Sequence, residues 1–343
     1  MTEVRKQRDR LRSIVQQFSD VSVLVLADLV ADEFVAGEIS RVSREAPVLI
    51  LKHRESKVVP GGGANAIMNL ATLGVNVMPV GVVGDDETGK LLIQAFKAKK
   101  IMTGGIFKLK NRMTTTKTRI LAYMPHSARQ QVVRVDREPE PLAEHDPSLL
   151  DLINSARDFA PASDAMLVSD YGYGAATPRL LTFIKSNGCL KDKPITLDSR
   201  YRMMDFEGVY TATPNESEVE AALGVNIGND RAVLLEAGRK LMKRMKLESL
   251  VITRGSDGMV AFEGKEDPVD IPIHGSNEVT DVTGAGDTVI ATYTAAVAAG
   301  ADTVTAARIA NIAGGIVVMK RGTATVSQNE LLAAIDRAAE QAR

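Results

Sequence analysis

The most informative stretch of this sequence is DVTGAGDT, residues 281–288. A strand-like approach at 277–280 precedes it, and an alanine-rich helical segment at 285–299 follows it. Glycines at a strand-to-helix turn let backbone N–H groups come close to a ligand, at the positive end of the helix dipole. Such a turn suits an anion, for example a phosphoryl group in transfer. Asp287 falls in the first helical turn, where a carboxylate can take the proton of an attacking hydroxyl.

On the N-terminal side of this turn, strand and helix patterns alternate. Residues 21–27 form a continuous apolar run, which is typical of a strand buried on both faces. Further strands are predicted at 75–83, 165–169, 194–197, 209–212 and 250–253, and helices at 62–73, 87–100, 178–186, 231–245, 285–299, 302–320 and 327–341. This order predicts an α/β fold with a central, mostly parallel sheet and helices on both faces.

Two charged regions depart from that alternation. Segments around 30–57 and 114–136 alternate polar and apolar residues, as in a sheet with one exposed face. We interpret them as insertions that form a small β-sheet lid on one domain, residues 19–343. Residues 1–18 read as a basic amphipathic helix, which we expect to be a solvated N-terminal extension.

Composition excludes several functions. The net charge is −1, and the chain has one cysteine, Cys189, and four histidines. We therefore expect no disulfide framework, no zinc site, no nucleic-acid partner and a cytoplasmic location. The sequence has no uncharged apolar run of 18 residues, so no membrane association is expected. An H-x-G-H pair is also absent, so no nucleotidyltransferase activity is expected of these residues.

Four motifs in order resemble the ribokinase-like (PfkB) carbohydrate kinase family. They are PGGGAN at 60–65, TPNESE at 213–218, TRG at 253–255 with Gly258, and the turn at 281–288. The resemblance covers about 20–330 and implies a ribokinase-like fold. It also implies ATP as phosphoryl donor, Mg²⁺, a monovalent cation such as K⁺, a sugar or sugar phosphate as substrate, and a homodimer formed through the lid.

The resemblance, together with the position of each residue, gives a candidate site. The catalytic group is Asp287 with Gly284, Ala285 and Gly286. The substrate-binding residues are Asp32, Gly61, Gly62, Asn65, Lys117, Arg119, Arg134, Asp170 and Arg200. The ATP-binding residues are Asn215, Thr253, Arg254, Gly255, Gly258 and Asn311, and Glu218 holds Mg²⁺ through water. For several of these an ordinary structural role is the alternative: a helix cap for Asn215 and Glu218, or a solvated charge for each basic residue.

The N-terminal half resembles the heptose 7-phosphate kinases within that family. The similarity lies in DLVADEF at 28–34, SRVSREAPV at 40–48, TKTR at 116–119 and SDY at 169–171. It implies phosphoryl transfer to the anomeric hydroxyl of D-glycero-β-D-manno-heptose 7-phosphate. The chain reads DSRY at 198–201 where those kinases read D-P-K-G. Another sugar, sugar phosphate or nucleoside as substrate, and a non-catalytic binding regulator, stay open as alternatives.

Overall fold

The computed structural model describes residues 3–124, 127, 129–275 and 280–341. The strand-like approach expected at 277–280 therefore lies almost entirely outside the described residues. The strands are β1 Ser22–Ala27, β2 Leu29–Val42, β3 Leu49–Gly62, β4 Asn76–Gly84, β5 Ile106–Leu109, β6 Thr115–Tyr123, β7 Gln130–Arg137, β8 Ala165–Asp170, β9 Ile195–Ser199, β10 Thr211–Ala212, β11 Ser249–Thr253, β12 Met259–Glu263 and β13 Val269–Ile271. The helices are α1 Glu3–Gln16, α2 Gly63–Thr72, α3 Glu87–Ala98, α4 Ser148–Phe159, α5 Pro178–Lys185, α6 Glu216–Leu223, α7 Arg231–Met245, α8 Ala285–Ala298, α9 Thr303–Val317 and α10 Gln328–Gln341.

Within the described ranges, the main sheet has nine strands in the order β13-β12-β11-β10-β9-β8-β1-β4-β5. The strands from β11 through to β5 pair in parallel, and only β12 and β13 pair antiparallel at one edge. The predicted α/β class with a mostly parallel sheet is confirmed. The edge strands β5, β12 and β13 were not among the predicted elements.

Helices cover both faces of this sheet because its strands are apolar on both sides. In β1, Val23 and Val25 pack into one buried cluster, while Leu24 and Leu26 pack into a second cluster on the other face. Successive side chains of a strand point to opposite faces, so the uninterrupted apolar run feeds both layers. The carboxyl ends of β1, β8 and β9 meet at one edge, where open α/β sheets bind ligands.

The lid is a separate four-stranded sheet in the order β3-β2-β6-β7. Its strands β2 and β6 pair in parallel, with Asp32 opposite Lys117 and Phe34 opposite Arg119. Residues that stand opposite each other point to the same face, so these four side chains share one side of the lid. That side faces the core, which brings the lid over the carboxyl edge of the main sheet.

The N-terminal helix differs from the expectation of a solvated extension. Leu11 and Val15 are buried because the apolar stripe of α1 packs against the core and α10, and Phe18, just after the helix, is buried as well. Arg12 forms an ion pair with Asp336 of α10, and Gln328 donates a 2.7 Å hydrogen bond to the Val15 carbonyl. The basic residues of α1 suggested a free helix. They lie on either side of an apolar face, and that face is part of the fold.

None of the helices in the described part of the chain combines the length and the apolar character that crossing a membrane requires.

Candidate active site

Asp287 lies in the first turn of α8 and is 5 % exposed. Both of its carboxylate oxygens accept hydrogen bonds: Asn65 Nδ2 donates to Oδ2 at 3.0 Å, and Tyr171 Oη donates to Oδ1 at 2.6 Å. Burial raises the pKa of Asp287 to about 6, and the bonds from Tyr171 and Asn65 act in the opposite direction. A carboxylate with this pKa is ionised at neutral pH yet can still accept a proton, as general-base catalysis requires.

The turn before α8 is shaped by Gly284, which has a left-handed φ of +77°. A Cβ at that position would lie 2.5 Å from Asn65 Nδ2, so only glycine lets α2 and α8 come this close. The predicted catalytic residues differ in whether their backbone amides already have a hydrogen-bond partner. The Ala285 N–H already donates to the Val282 carbonyl at 3.2 Å, so it is engaged within the turn. The amides of Gly286 and Asp287 belong to the first helical turn, which an α-helix leaves without carbonyl partners of its own.

Asn65 is presented by the glycine turn at the start of α2. Gly62 has a φ of +50°, and a Cβ at Gly63 would lie 2.7 Å from the Ala27 Cβ, so this turn packs directly on the end of β1. Asn69 Nδ2 donates to the Asn65 side-chain and main-chain oxygens at 3.2 and 3.1 Å. This network fixes the amide of Asn65 with its Nδ2 toward Asp287.

Two cavities flank residues 281–287. The lid cavity, about 640 Å³, lies between the lid and the core, and Asp281, Thr283 and Thr323 are part of its wall. The core cavity, about 290 Å³, lies over the carboxyl ends of β8 and β9, and Gly284, Gly286 and Asp287 are part of its wall. Asp287 and its turn therefore stand between one space bounded by the lid and another bounded by the main sheet.

Asp32 on β2 is buried behind Arg119 and Thr323, two residues that line the lid cavity. Its carboxylate forms a buried ion pair with Arg119 and accepts a 2.9 Å hydrogen bond from Thr323 Oγ1. Arg119 also stacks over the Phe34 ring at 5.5 Å. Gly61 lies next to Asp32, because a Cβ there would overlap the carboxylate. Asp32, Arg119 and Gly61 were all predicted to bind substrate, and the structure brings them together.

The other predicted cations of the substrate site are distributed differently. Lys117 shares the inner face of the lid by register, but Arg134 is exposed and pairs with Asp136 at 2.9 Å. Arg200 is in the wall of the core cavity rather than the lid cavity. Among the described residues, the lid cavity is lined by the predicted Arg119 and by three further basic residues, Lys57, Arg129 and Arg321.

The core cavity contains three of the seven predicted nucleotide and metal residues. Asn215, Thr253 and Glu218 are in its wall, together with Asp198. Asn215 caps α6: its Oδ1 accepts from the Glu218 N–H at 2.9 Å, and its own N–H donates to Glu218 Oε2 at 2.9 Å. The capping alternative therefore holds for this pair, which also faces the cavity. Burial raises the pKa of Glu218, and burial followed by the charge of Asp287 holds the pKa of Asp198 well above its usual range.

Several predicted residues are engaged elsewhere. Asp170 touches the core cavity, but its carboxylate pairs with Arg202 at 2.7 Å and accepts from Ser199 Oγ at 2.7 Å. Arg254 pairs with Glu216 at 2.7 Å. Gly255 has a φ of +54°, and Gly258 packs on the Ile271 carbonyl. Asn311 lines a different cavity, beside α1, and donates a 2.7 Å hydrogen bond to the Pro272 carbonyl.

Sequence reasoning missed Tyr171, Lys57 and Arg321 as site residues. Lys57 could have been predicted from the alternation of side chains along a strand. Residues 57, 59 and 61 of β3 share a face, and Gly61 was already predicted to contact ligand. Arg321 stands next to Gly322, which donates to Asp281 at 2.9 Å. Tyr171 belongs to the SDY stretch at 169–171, but nothing local indicates its contact with Asp287, which lies 116 residues away.

The donor set fits a magnesium–nucleotide complex better than a protein-only metal cage. Among the described residues there is no group of three or more His, Cys, Asp or Glu side chains arranged to hold a metal ion. Mg²⁺ in phosphoryl-transfer sites is held by one or two carboxylates, water and substrate phosphates. Glu218 in the wall of the core cavity is consistent with that arrangement.

The fold and this site define a phosphotransferase with an alcohol group as acceptor. The model of the pfkB family of carbohydrate kinases matches residues 29–330, and this chain belongs to that family. It is a carbohydrate kinase, as the sequence resemblance predicted.

Curated relatives extend the comparison beyond the family. The chain is 38 % identical over 330 residues to bifunctional protein HldE of Trichlorobacter lovleyi, and 38 % identical over 329 residues to that of Geobacter metallireducens. The matches cover 96 % and 95 % of this chain. The chain spans 65 % of the length of each of these two relatives.

Solved structures confirm the ribokinase-like fold. Arabidopsis thaliana ribokinase, complexed with ribose and ATP, superposes with a TM-score of 0.70 at 19 % identity, covering 92 % of this chain and 98 % of that one. Phosphofructokinase-2 of Escherichia coli, with substrates and products, has a TM-score of 0.74 at 16 % identity, covering 92 % and 99 %.

Proposed function

We propose that this carbohydrate kinase transfers the γ-phosphoryl group of ATP to the anomeric hydroxyl of D-glycero-β-D-manno-heptose 7-phosphate. The observation that carries the kinase chemistry is the position of Asp287, which is buried in the wall of the core cavity and follows a turn whose residues Asp281 and Thr283 line the lid cavity. Sugar in the lid cavity and nucleotide in the core cavity would meet at this carboxylate. ATP supplies the phosphoryl group and Mg²⁺ offsets phosphate charge when both are bound.

The residues of the chain account for the proton and the developing charge. The acceptor oxygen forms a bond to the γ-phosphorus as the bond to the ADP oxygen breaks, and the hydroxyl proton passes to the Asp287 carboxylate. Each carboxylate oxygen has two lone-pair positions, so the bonds from Asn65 and Tyr171 leave room for this proton. The amides of Gly286 and Asp287, at the N-terminus of α8, stabilise negative charge on the phosphoryl oxygens.

Two observations support a sugar that already carries phosphate. The lid cavity is lined by Lys57 and Arg321, and also by Arg119 and Arg129, which pair with Asp32 and Glu55. Cationic side chains of this kind suit phosphate. The resemblance to heptose 7-phosphate kinases in 28–48 and 116–119 points to the same substrate. The relatives named bifunctional protein HldE are longer than this chain, so their activity enters here only as part of the proposal.

The test is ADP release with Mg-ATP on a panel of acceptors. The panel contains the heptose 7-phosphate, the same heptose without phosphate, ribose and fructose 6-phosphate, with ³¹P NMR to identify the phosphorylated position. The heptose 7-phosphate is expected to have the highest kcat/KM and to give an anomeric phosphate. A higher kcat/KM for an unphosphorylated sugar would overturn the substrate, and no ADP release with any acceptor would overturn the kinase mechanism.

We also propose that two copies associate through the outer face of the lid. Val133 and Val135 are 45 % and 49 % exposed and alternate with Arg134, so they lie on the side away from the lid cavity. Exposed apolar strands of this kind favour a partner surface. Light scattering after size exclusion is expected to give twice the chain mass, and Val133→Lys is expected to give a monomer that keeps its melting temperature.

A further inference from the structure

We infer that Tyr171 is a positioning residue for Asp287: its hydroxyl holds one carboxylate oxygen and tunes the proton affinity of the base. The inference rests on the proposed role of Asp287 as general base. Neither the resemblance nor the comparisons assign a role to this tyrosine. It acts through Asp287 rather than on the sugar.

The geometry leaves the carboxylate little freedom. Tyr171 Oη lies 2.6 Å from Oδ1 and Asn65 Nδ2 lies 3.0 Å from Oδ2, so rotation of the carboxylate would break one bond or the other. A hydrogen bond to an ionised acceptor is shorter and stronger than a neutral one, and the 2.6 Å separation is of that kind. Burial and the charge of Asp287 raise the pKa of Tyr171 well above its ordinary value, so the phenol stays protonated and remains the donor.

The loop that carries Tyr171 is fixed independently of Asp287. The buried carboxylate of Asp28, after β1, accepts backbone hydrogen bonds from Tyr171, Tyr173 and Ala175 at 2.9, 2.9 and 2.8 Å. Gly172 and Gly174 have φ values of +84° and +98°, which let the chain wrap around that single carboxylate. Arg112 also donates to the Tyr173 carbonyl at 3.0 Å. The phenol is therefore held in place before any ligand arrives.

Charges around Asp287 come from several elements and oppose each other. Asp32 on β2 raises the pKa of Asp287, while Arg200, just after β9, lowers it. The carboxyl group of Asp198 on β9 also interacts electrostatically with Asp287. Against this background the neutral donor Tyr171 favours the ionised base through its hydrogen bond. Removal of the hydroxyl is expected to make Asp287 protonate at a higher pH.

The test compares the pH dependence of kcat/KM in wild type, Tyr171→Phe and Tyr173→Phe, with the best acceptor of the panel. In Tyr171→Phe the acidic limb is expected to move upward by about 0.5 to 1 pH unit, the size that one hydrogen bond supports. Tyr173→Phe is the matched control, because its hydroxyl bonds Glu138 at 2.5 Å instead. Tyr173→Phe removes the same phenolic oxygen two residues away, and it is expected to leave the pH of the acidic limb unchanged.

A second readout needs no turnover. With ¹³C-labelled aspartate, the carboxyl signal that disappears in Asp287→Asn identifies residue 287, and its titration gives the pKa directly. An upward movement in Tyr171→Phe supports the positioning role even if that variant is inactive. A titration that overlays wild type would overturn this inference and leave the kinase proposal intact. A fully active Asp287→Asn would instead overturn the proposed base.

Discussion

Asn65 and Asp287 are joined by a 3.0 Å hydrogen bond, although 222 residues separate them in the chain. The bond ties the glycine turn at the start of α2 to the glycine turn at the start of α8. The turn before α8 needs glycine for this approach, since a Cβ at Gly284 would lie 2.5 Å from Asn65 Nδ2. The two motifs that the sequence places far apart therefore form one site, with the buried carboxylate at its centre.

Replacement of Asp287 by Asn is expected to lower kcat by about 100-fold or more, because general-base catalysis contributes 10² to 10⁴ in rate. The measurement is steady-state ADP release with saturating Mg-ATP and the best sugar acceptor. Far-UV circular dichroism serves as the control for folding. Turnover close to wild type in a folded Asp287→Asn variant would remove the proton-accepting role.

The same substitution is expected to change how stability depends on pH. The folded-state pKa of Asp287 is about 6, raised from an ordinary value of 3.8 by burial. Between these values the folded protein binds more protons than the unfolded chain, so the free energy of unfolding falls as pH rises from about 4 to 6. For one such group the fall amounts to about 3 kcal/mol at most.

Asp28 has a raised pKa of about 6 for the same reason and contributes in the same direction. Urea unfolding at pH 5 and pH 8 separates the two groups, because Asp287→Asn removes only one of them. The loss of stability between pH 5 and pH 8 is expected to be smaller in Asp287→Asn than in wild type. An equal loss in the two proteins would mean that burial does not raise the pKa of Asp287.

The sequence predicted the fold well because the evidence for it is local. Apolar runs such as residues 21–27, helix periodicity, and glycine turns at 60–65 and 281–288 each depend on neighbouring residues, and the alternation of strands with helices predicts a parallel sheet covered on both faces. The antiparallel edge strands β12 and β13 were missed because they break that alternation. The N-terminal helix was misread because its basic residues are obvious, while the groove that buries Leu11 and Val15 exists only in the folded protein.

Side-chain partners were much less predictable than elements. Asp32 and Arg119 each looked like a ligand residue, and nothing in the sequence indicates that they pair with each other across β2 and β6. Arg134 was predicted to bind the substrate phosphate and Arg254 to bind the nucleotide, yet each is paired with a nearby carboxylate. Tyr171 was not chosen because its role depends on a loop that wraps around Asp28, and such a conformation is set by tertiary contacts.

Gly61→Ala is expected to raise KM for the sugar while the fold is retained. A methyl group at this position would overlap the carboxylate of Asp32, which Arg119 and Thr323 hold in place. Displacement of that carboxylate would cost one sugar hydrogen bond, or about tenfold in KM. Gly104→Ala is the matched control, because the space around Gly104 is open for 4 Å. An unchanged KM in Gly61→Ala would mean that Asp32 does not contact the sugar.

The ion pair between Asp170 and Arg202 is expected to be structural, and a double-mutant cycle tests this. Asp170 is 1 % exposed, so Arg202→Ala leaves a buried carboxylate without its cation and should destabilise the fold by about 3 kcal/mol. Asp170→Asn combined with Arg202→Ala should cost less than Arg202→Ala alone, because no charge is then left unpaired. The measurement is urea unfolding of the two single variants and the double variant. If the double variant is no more stable than Arg202→Ala, then Arg202 does not compensate the charge of Asp170. Solvent or another group must then screen the charge of Asp170.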